Sequence, residues 1–199
     1  MVASRRLRLH GSTATRRPGW RSTCFDPPTS SWRGEETSGE RITERTAPLL
    51  ARLVRDPSSI PAEYRRSTPQ SRGRYMLHRA PRFNVTSVIW RPGDTAGAHN
   101  HETWGVIGVI DNEIEETRYR VTETGSGKAR LEVTGVTRHR PGAVSRLVPG
   151  DEVHRMHNPT DRDTVEIHVY GKDLVNLHRK TWTDDGTEKP LVSPKYLNC

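Results

Sequence analysis

No apolar run in this chain approaches the roughly 18 residues that a membrane-spanning helix needs, so no membrane partner is expected. Cysteine is nearly absent. The two that occur, Cys24 and Cys199, sit near opposite ends and neither belongs to a CxxC pair. That excludes a disulfide framework or a zinc ribbon and makes a reducing cytoplasm the expected compartment. Hydrophobic residues make up only 31% of 199, and the mean hydropathy is −0.83. So little apolar surface implies that part of the chain does not pack. Lysine is scarce as well, and the net charge of +8 comes mainly from arginine. These arginines are scattered rather than gathered in one stripe, so nucleic acid is not an expected partner.

What is present divides the chain unevenly. Residues 1–22 hold six arginines and no acid, with Ser and Thr between them. This composition resembles an organellar transit peptide, but it lacks the apolar core of a secretory signal and the run that a twin-arginine signal needs. Residues 1–40 are expected to be a disordered basic extension, and 41–199 a single domain, monomeric or in a small homo-oligomer. In that domain Ile42, Leu49, Leu50, Leu53 and Val54 predict an amphipathic helix over 41–55, with Pro48 near its first turn. "SIPAEYRRS" adds a helical turn, taking the helical segment to residue 66.

From about residue 74 to 180 the pattern changes to short runs rich in β-branched and aromatic residues. "RYMLHR", "FNVTSVIW", "WGVIGVI", "EIEETRYRV", "RLEVTGVTRH", "AVSRLV" and "TVEIHVY" are separated by "RPGD", "DN", "TGSGK", "RPG" and "VPGDE" turns. This spacing predicts an all-β sandwich or barrel. The tail "DDGTEKPLVSPKYLNC" reads as an irregular cap.

The stretch "GDTAGAHNH" places His99 and His101 one residue apart after a glycine-rich turn. Side chains alternate along a strand, so the two imidazoles share a face, about 7 Å apart at the backbone, and can converge on one metal ion. Far along the chain "PGDEVHRMHN" leads a Pro-Gly turn into His154. His157, three residues on, faces the other side of a strand and is its lesser rival. In "TVEIHVYG" the trio Val165, Ile167 and Val169 takes one face and Glu166, His168 and Tyr170 the other. The apolar trio is expected to meet an outer layer or helix and the polar trio to look into a cavity.

The two histidine stretches resemble the paired motifs of the cupin superfamily, which implies a double-stranded β-helix, or jelly-roll, barrel. Together, "HNHETWGVIGV", "GDEVHRMHN" and "IHVYG" resemble the thiol dioxygenases, the cysteine dioxygenase family of cupins. The resemblance implies Fe(II) held by His99, His101 and His154, with His168 and Tyr170 beside it. It further implies that O2 and a small thiol carboxylate, 3-mercaptopropionate or cysteine, are converted to a sulfinate, which places the protein in sulfur metabolism.

Three departures stand out. Glu166 replaces the family's serine, where a carboxylate can accept from His168 and fix its tautomer. Gly105 and Val106 stand where many cupins carry a glutamate ligand, which leaves three neutral histidines and the ion's full +2 charge. No cysteine follows the HxH pair, so Tyr170 is expected to be unmodified. The "HxHxxWG" pattern is closer to the branch acting on 3-mercaptopropionate, and in that branch the carboxylate-binding arginine falls at Arg179. In the cysteine branch it falls near Arg72 and Arg74, which stay in play. Trp104 and Tyr119 read as packing aromatics. Two other classes remain open: a cupin using Mn, Ni or Zn as isomerase or hydrolase, and a non-catalytic ligand-binding cupin.

Overall fold

The structure, a computed structural model, describes residues 38–124 and 128–199, so the extension expected over 1–40 falls almost wholly outside the described residues. The first element, α1, runs from Gly39 to Leu53, with the Ser38 hydroxyl accepting the Arg41 N–H at its start. It begins earlier than the sequence predicts and carries Pro48 in its interior rather than its first turn. The reason is exposure. Pro48 and Glu44, whose carbonyl loses its usual donor, both face solvent, where water can take that carbonyl. Leu50 and Val54 are buried on the opposite face, while Leu49 stays exposed.

Two short 3₁₀ turns, Pro57–Ser59 and Ala62–Tyr64, lead into the strands. These are β1 (Gly73–Ala80), β2 (Phe83–Trp90), β3 (Thr95–His99), β4 (Gly105–Asp111), β5 (Ile114–Glu123) and β6 (Ala129–His139). They continue as β7 (Val144–Leu147), β8 (His154–His157), β9 (Thr164–Tyr170), β10 (Arg179–Trp182) and β11 (Glu188–Leu191). One sheet has the order β1-β2-β9-β4-β7 and the other β11-β10-β3-β8-β5-β6, and the strand pairs in both are antiparallel. The architecture is the all-β cupin barrel, a double-stranded β-helix.

Strand β9 lies at the centre of its sheet, between β2 and β4, and every residue of it is buried. Its two faces serve different layers. Val165, Ile167 and Val169 join Leu50, Val54, Val106 and Ile110 in the core beneath α1. Each such side chain, once buried, contributes about 1.5–3 kcal/mol relative to exposure. Gly108 lets α1 approach this closely, since a Cβ there would lie 2.9 Å from Val54 Cγ1. Glu166, His168 and Tyr170 point the other way, into the barrel, opposite Val109, Ile107 and Gly105 of β4. Val88, Trp90, Val109, Ile114 and Met156 fill the closed end of that interior.

The tail departs from the cap expected of it. β10 and β11 form a hairpin on the edge of the second sheet, turned at Gly186 with φ 82°. Pro190 is tolerated because β11 is the edge strand. Segment 191–198 then runs back along β1, where the Leu197 N–H donates to the Arg74 carbonyl and Asn198 exchanges two hydrogen bonds with the Met76 backbone. Cys199 is disulfide-bonded, unlike the reduced state expected of it, and the described residues contain no second cysteine. No described helix is long and apolar enough to cross a membrane.

Candidate metal centre

β3 and β8 pair so that His99 stands directly opposite His154. His101 lies just beyond the end of β3, in a loop that turns through Glu102 at φ 54°. The three imidazoles converge there. One ring nitrogen from each lies within 4.8 Å of the others, and the ring centroids are 4.8–5.0 Å apart. Burial, together with the neighbouring histidines, holds His99 and His101 well below the ordinary histidine pKa, so both are neutral at physiological pH and able to offer a lone pair. His157 is half-buried on the other face of β8. Gly105 and Val106 contribute no ligand atom: Gly105 packs against Tyr170, and Val106 lies in the core beneath α1.

The far nitrogens of the three rings test whether a metal fits. His99 Nδ1 is 2.7 Å from the Gly97 carbonyl, which can only accept, so this nitrogen carries the proton. His154 Nδ1 is 2.7 Å from Glu116 Oε1. His101 Nδ1 faces Glu152 Oε2 at 3.8 Å, and both atoms are buried without a hydrogen-bond partner. Contraction of the three rings around an ion is a way to use that orphaned pair. Nδ1–H donation leaves Nε2 lone pairs free for coordination, the usual arrangement in histidine metal sites. The residues fit a divalent metal.

The expectation of an uncompensated +2 charge is modified here. Two buried carboxylates stand directly behind the ligands. Glu116, on β5, sits diagonally across from His154 and also accepts from His139 Nε2 at 2.7 Å and Ser145 Oγ at 3.0 Å. Burial works to raise its carboxyl, but these donors and Arg118 at 3.2 Å overcome that and hold it far below the ordinary range. Glu152 accepts the Glu102 N–H, and burial raises its carboxyl.

The inward trio of β9 forms a linear chain. Trp90 Nε1 donates to Glu166 Oε2 at 2.6 Å, and His168 Nε2 lies 3.0 Å from the same oxygen. His168 Nδ1 is 2.8 Å from the Tyr170 hydroxyl. With Nε2–H given to Glu166, a neutral His168 has only a lone pair at Nδ1, so the Tyr170 O–H donates to it. The Tyr170 ring stacks on His101 with centroids 5.4 Å apart, and burial raises its hydroxyl pKa above the ordinary value. Gly105 makes room for this ring, since a Cβ there would lie 2.7 Å from Tyr170 Cε1.

These groups open onto a cavity of about 540 Å³ lined by His99, His101, His168 and Tyr170 on one wall and by Arg72, Arg74 and Arg179 on the others. The three arginines are therefore not alternatives. Arg179, on β10, is buried, donates to the Asn100 carbonyl at 2.9 Å and to Ser193 Oγ at 2.6 Å, and leaves Nε without a partner. Arg74 donates to the Pro194 carbonyl. Arg72 lies over the Trp90 ring at 4.1 Å and donates to the Thr95 carbonyl. Trp104 and Tyr119 are not in the lining. The sequence reading missed Glu116, Glu152, Trp90, Asn100 and Ser193. Only Glu116 carried a usable signal: it shares a strand face with Ile114, which is fully buried.

The sequence profile of the family described as cysteine dioxygenase type I matches residues 46–180. Among solved structures, an uncharacterised conserved protein with a double-stranded β-helix domain from Klebsiella pneumoniae is 18% identical. That match covers 67% of this chain and 93% of that one, with a TM-score of 0.41. A protein from Thermus thermophilus is 17% identical over 55% of this chain and 90% of its own, with a TM-score of 0.42. The cupin domain of an XRE-family transcriptional regulator from Enterobacter cloacae is 18% identical over 51% and 97%, with a TM-score of 0.38.

Proposed function

The chain belongs to the cysteine dioxygenase type I family, and from that premise we propose that it is a mononuclear non-haem iron thiol dioxygenase. The substrate is a small mercapto-carboxylic acid, 3-mercaptopropionate ahead of cysteine. The balance is R–SH + O2 → R–SO2⁻ + H⁺: two S–O bonds form, the O–O bond breaks, sulfur loses four electrons and O2 takes them. No external reductant is needed.

Fe(II) bound by His99, His101 and His154 would supply the open positions at which thiolate and O2 meet. The observation that carries the reading is the Glu166–His168–Tyr170 chain placed against that histidine cluster, since a metal hydrolase has no use for a tyrosine hydroxyl so held. Glu166 orients His168, and His168 holds the Tyr170 proton. The phenol oxygen keeps lone pairs for the reacting groups, and Tyr170 stays protonated throughout the neutral range. Arg179 anchors the carboxylate. Its distance from the histidines sets how many carbons fit between sulfur and carboxyl.

The cavity lining favours an acid without an amine. It contains Arg72, Arg74, Arg91, Arg179 and Lys195 and no Asp or Glu, so the ammonium of cysteine meets only like charge. On this reading the extension over residues 1–40 is dispensable for turnover.

The test is anaerobic loading with Fe(II), followed by O2 uptake with 3-mercaptopropionate, cysteine and cysteamine side by side. Uptake matched one-to-one by sulfinate, fastest for 3-mercaptopropionate, is expected. Iron bound at one per chain with all three thiols inert would overturn the reading.

A further inference from the structure

The cavity holds more positive charge than one carboxylate can offset. Of its five cationic side chains, Arg72 and Arg91 share Asp94, at 3.8 and 3.2 Å. Arg74 and Arg179 make no ion pair among the described residues. Arg79 and Tyr196 occupy Asp173, the nearby acid that could have served Arg74. Segment 191–197 holds both guanidiniums on the cavity wall: Arg179 donates to Ser193 and Arg74 to the next residue, Pro194, and the two are near enough for their charges to interact. Each guanidinium carries more N–H donors than the acceptors it meets here. Two like charges on one part-buried wall repel each other, and anions bound between them offset that repulsion. The like charge of Arg74 adds to burial in depressing the Arg179 pKa.

We propose that the preferred substrate is a dianionic thiol, a mercapto-dicarboxylic acid whose two carboxylates are taken by Arg179 and Arg74. This rests on the thiol dioxygenase reading and narrows its substrate class. Arg179 takes the carboxylate nearer the sulfur in a planar paired contact, and Arg74 takes the second. The chemistry at sulfur is unchanged: one thiol and one O2 give one sulfinate and one proton, with both carboxylates carried through intact.

The experiment compares sulfinate formation from mercaptosuccinate and 3-mercaptopropionate by the iron-loaded full chain, and repeats it with Arg74→Gln and Arg74→Lys. Wild type is expected to favour mercaptosuccinate at least tenfold in kcat/KM. Arg74→Gln should cut that ratio at least tenfold, and Arg74→Lys should cut it less. Each variant carries its own control, because the ratio is taken within one protein preparation and a folding defect lowers both rates. Mercaptosuccinate used no better than 3-mercaptopropionate, or a ratio unmoved in Arg74→Gln, overturns the proposal and leaves the dioxygenase reading standing.

Calorimetric titration with succinate and propionate separates the two claims. If no thiol is oxidised, the dioxygenase reading fails on its own. Succinate binding at least tenfold tighter than propionate, with the advantage lost in Arg74→Gln, still supports the paired-arginine site, and equal binding refutes it.

Discussion

Replacing Glu116 by glutamine removes one charge from behind the metal centre and almost no volume. The carboxylate now takes His154 Nδ1 at 2.7 Å, His139 Nε2 at 2.7 Å and Ser145 Oγ at 3.0 Å, with the Arg118 guanidinium 3.2 Å away. A glutamine offers those donors one oxygen, and its amide nitrogen has to face one of the two histidines. His139 has the more exposed side chain and can switch tautomer, so the oxygen stays with His154. The variant therefore keeps the hydrogen bond that orients the ligand and loses the charge that makes it a stronger donor. Partners of this kind are worth about 10–100-fold in metal affinity, and with the bond retained the loss falls toward about tenfold. That corresponds to about 1.4 kcal/mol.

Glu116→Ala goes further. It leaves the His154 N–H and the Arg118 charge without their acceptor, so affinity falls toward about a hundredfold. Leaving the buried His154 N–H unpaired also costs about 1–3 kcal/mol of stability. His139→Asn removes a different donor from the same carboxylate and should hold metal within about threefold of wild type. The assay is competition for Fe(II) or Zn(II) against a chelator near neutral pH, with melting of the metal-free proteins in parallel. Glu116→Gln binding metal within about twofold of wild type would show that the carboxylate does not tune the ligand, and would refute the reasoning.

Three further outcomes are expected. Glu166→Gln retains both hydrogen bonds, because Trp90 and His168 converge on a single oxygen, so turnover should drop by no more than about tenfold. Glu166→Leu leaves two buried donors unpaired, at about 1–3 kcal/mol each, and equal O2-uptake rates in the two variants would contradict the triad geometry. Gly105→Ala forces the Tyr170 ring aside and should cost about 1–3 kcal/mol in a denaturant melt. Its turnover should be impaired while chelator competition shows metal still bound. Asp94 is pulled upward by burial, but the Arg91 side chain and backbone N–H, with Arg72, hold its carboxyl below the ordinary 3.8. A depressed acid stabilises the fold above its unfolded pKa and loses that contribution as pH falls through the folded one. The melting difference between wild type and Asp94→Asn should therefore be present at neutral pH and shrink below about pH 4; a difference constant with pH would count against it.

Much of the barrel is legible in the sequence because its strands are bounded by turn chemistry. "FNVTSVIW" and "TVEIHVY" match β2 and β9 end to end. The alternation of β9 foretells both its contact with the helix and its inward trio. β10 and β11 escape notice for a physical reason: four residues each are too few to show alternation, and β11, the edge strand, buries almost nothing, so "RKTW" and "EKPL" carry no apolar signal. The histidine cluster is legible because glycine turns announce each of its two stretches. The groups behind the cluster are not. Glu116 sits among Glu113, Glu115 and other charged residues that look like a solvated strand face, and its one hint is the face it shares with Ile114. Likewise Ser193 and Pro194 have no chemistry of their own to advertise. Their importance comes from what they grip.

The route of segment 191–197 along the cavity divides the protein's labour. The histidines stand on β3, the loop after it and β8, and the tyrosine chain on β9. On the proposed reading, the wall that meets an incoming acid joins Arg74 of β1 and Arg179 of β10 to a stretch of irregular backbone laid over them. Substitutions in that stretch can change which molecule is admitted without disturbing how oxygen is delivered to it. On the proposed reading, closely similar barrels can thus come to serve different acids by small edits in that stretch.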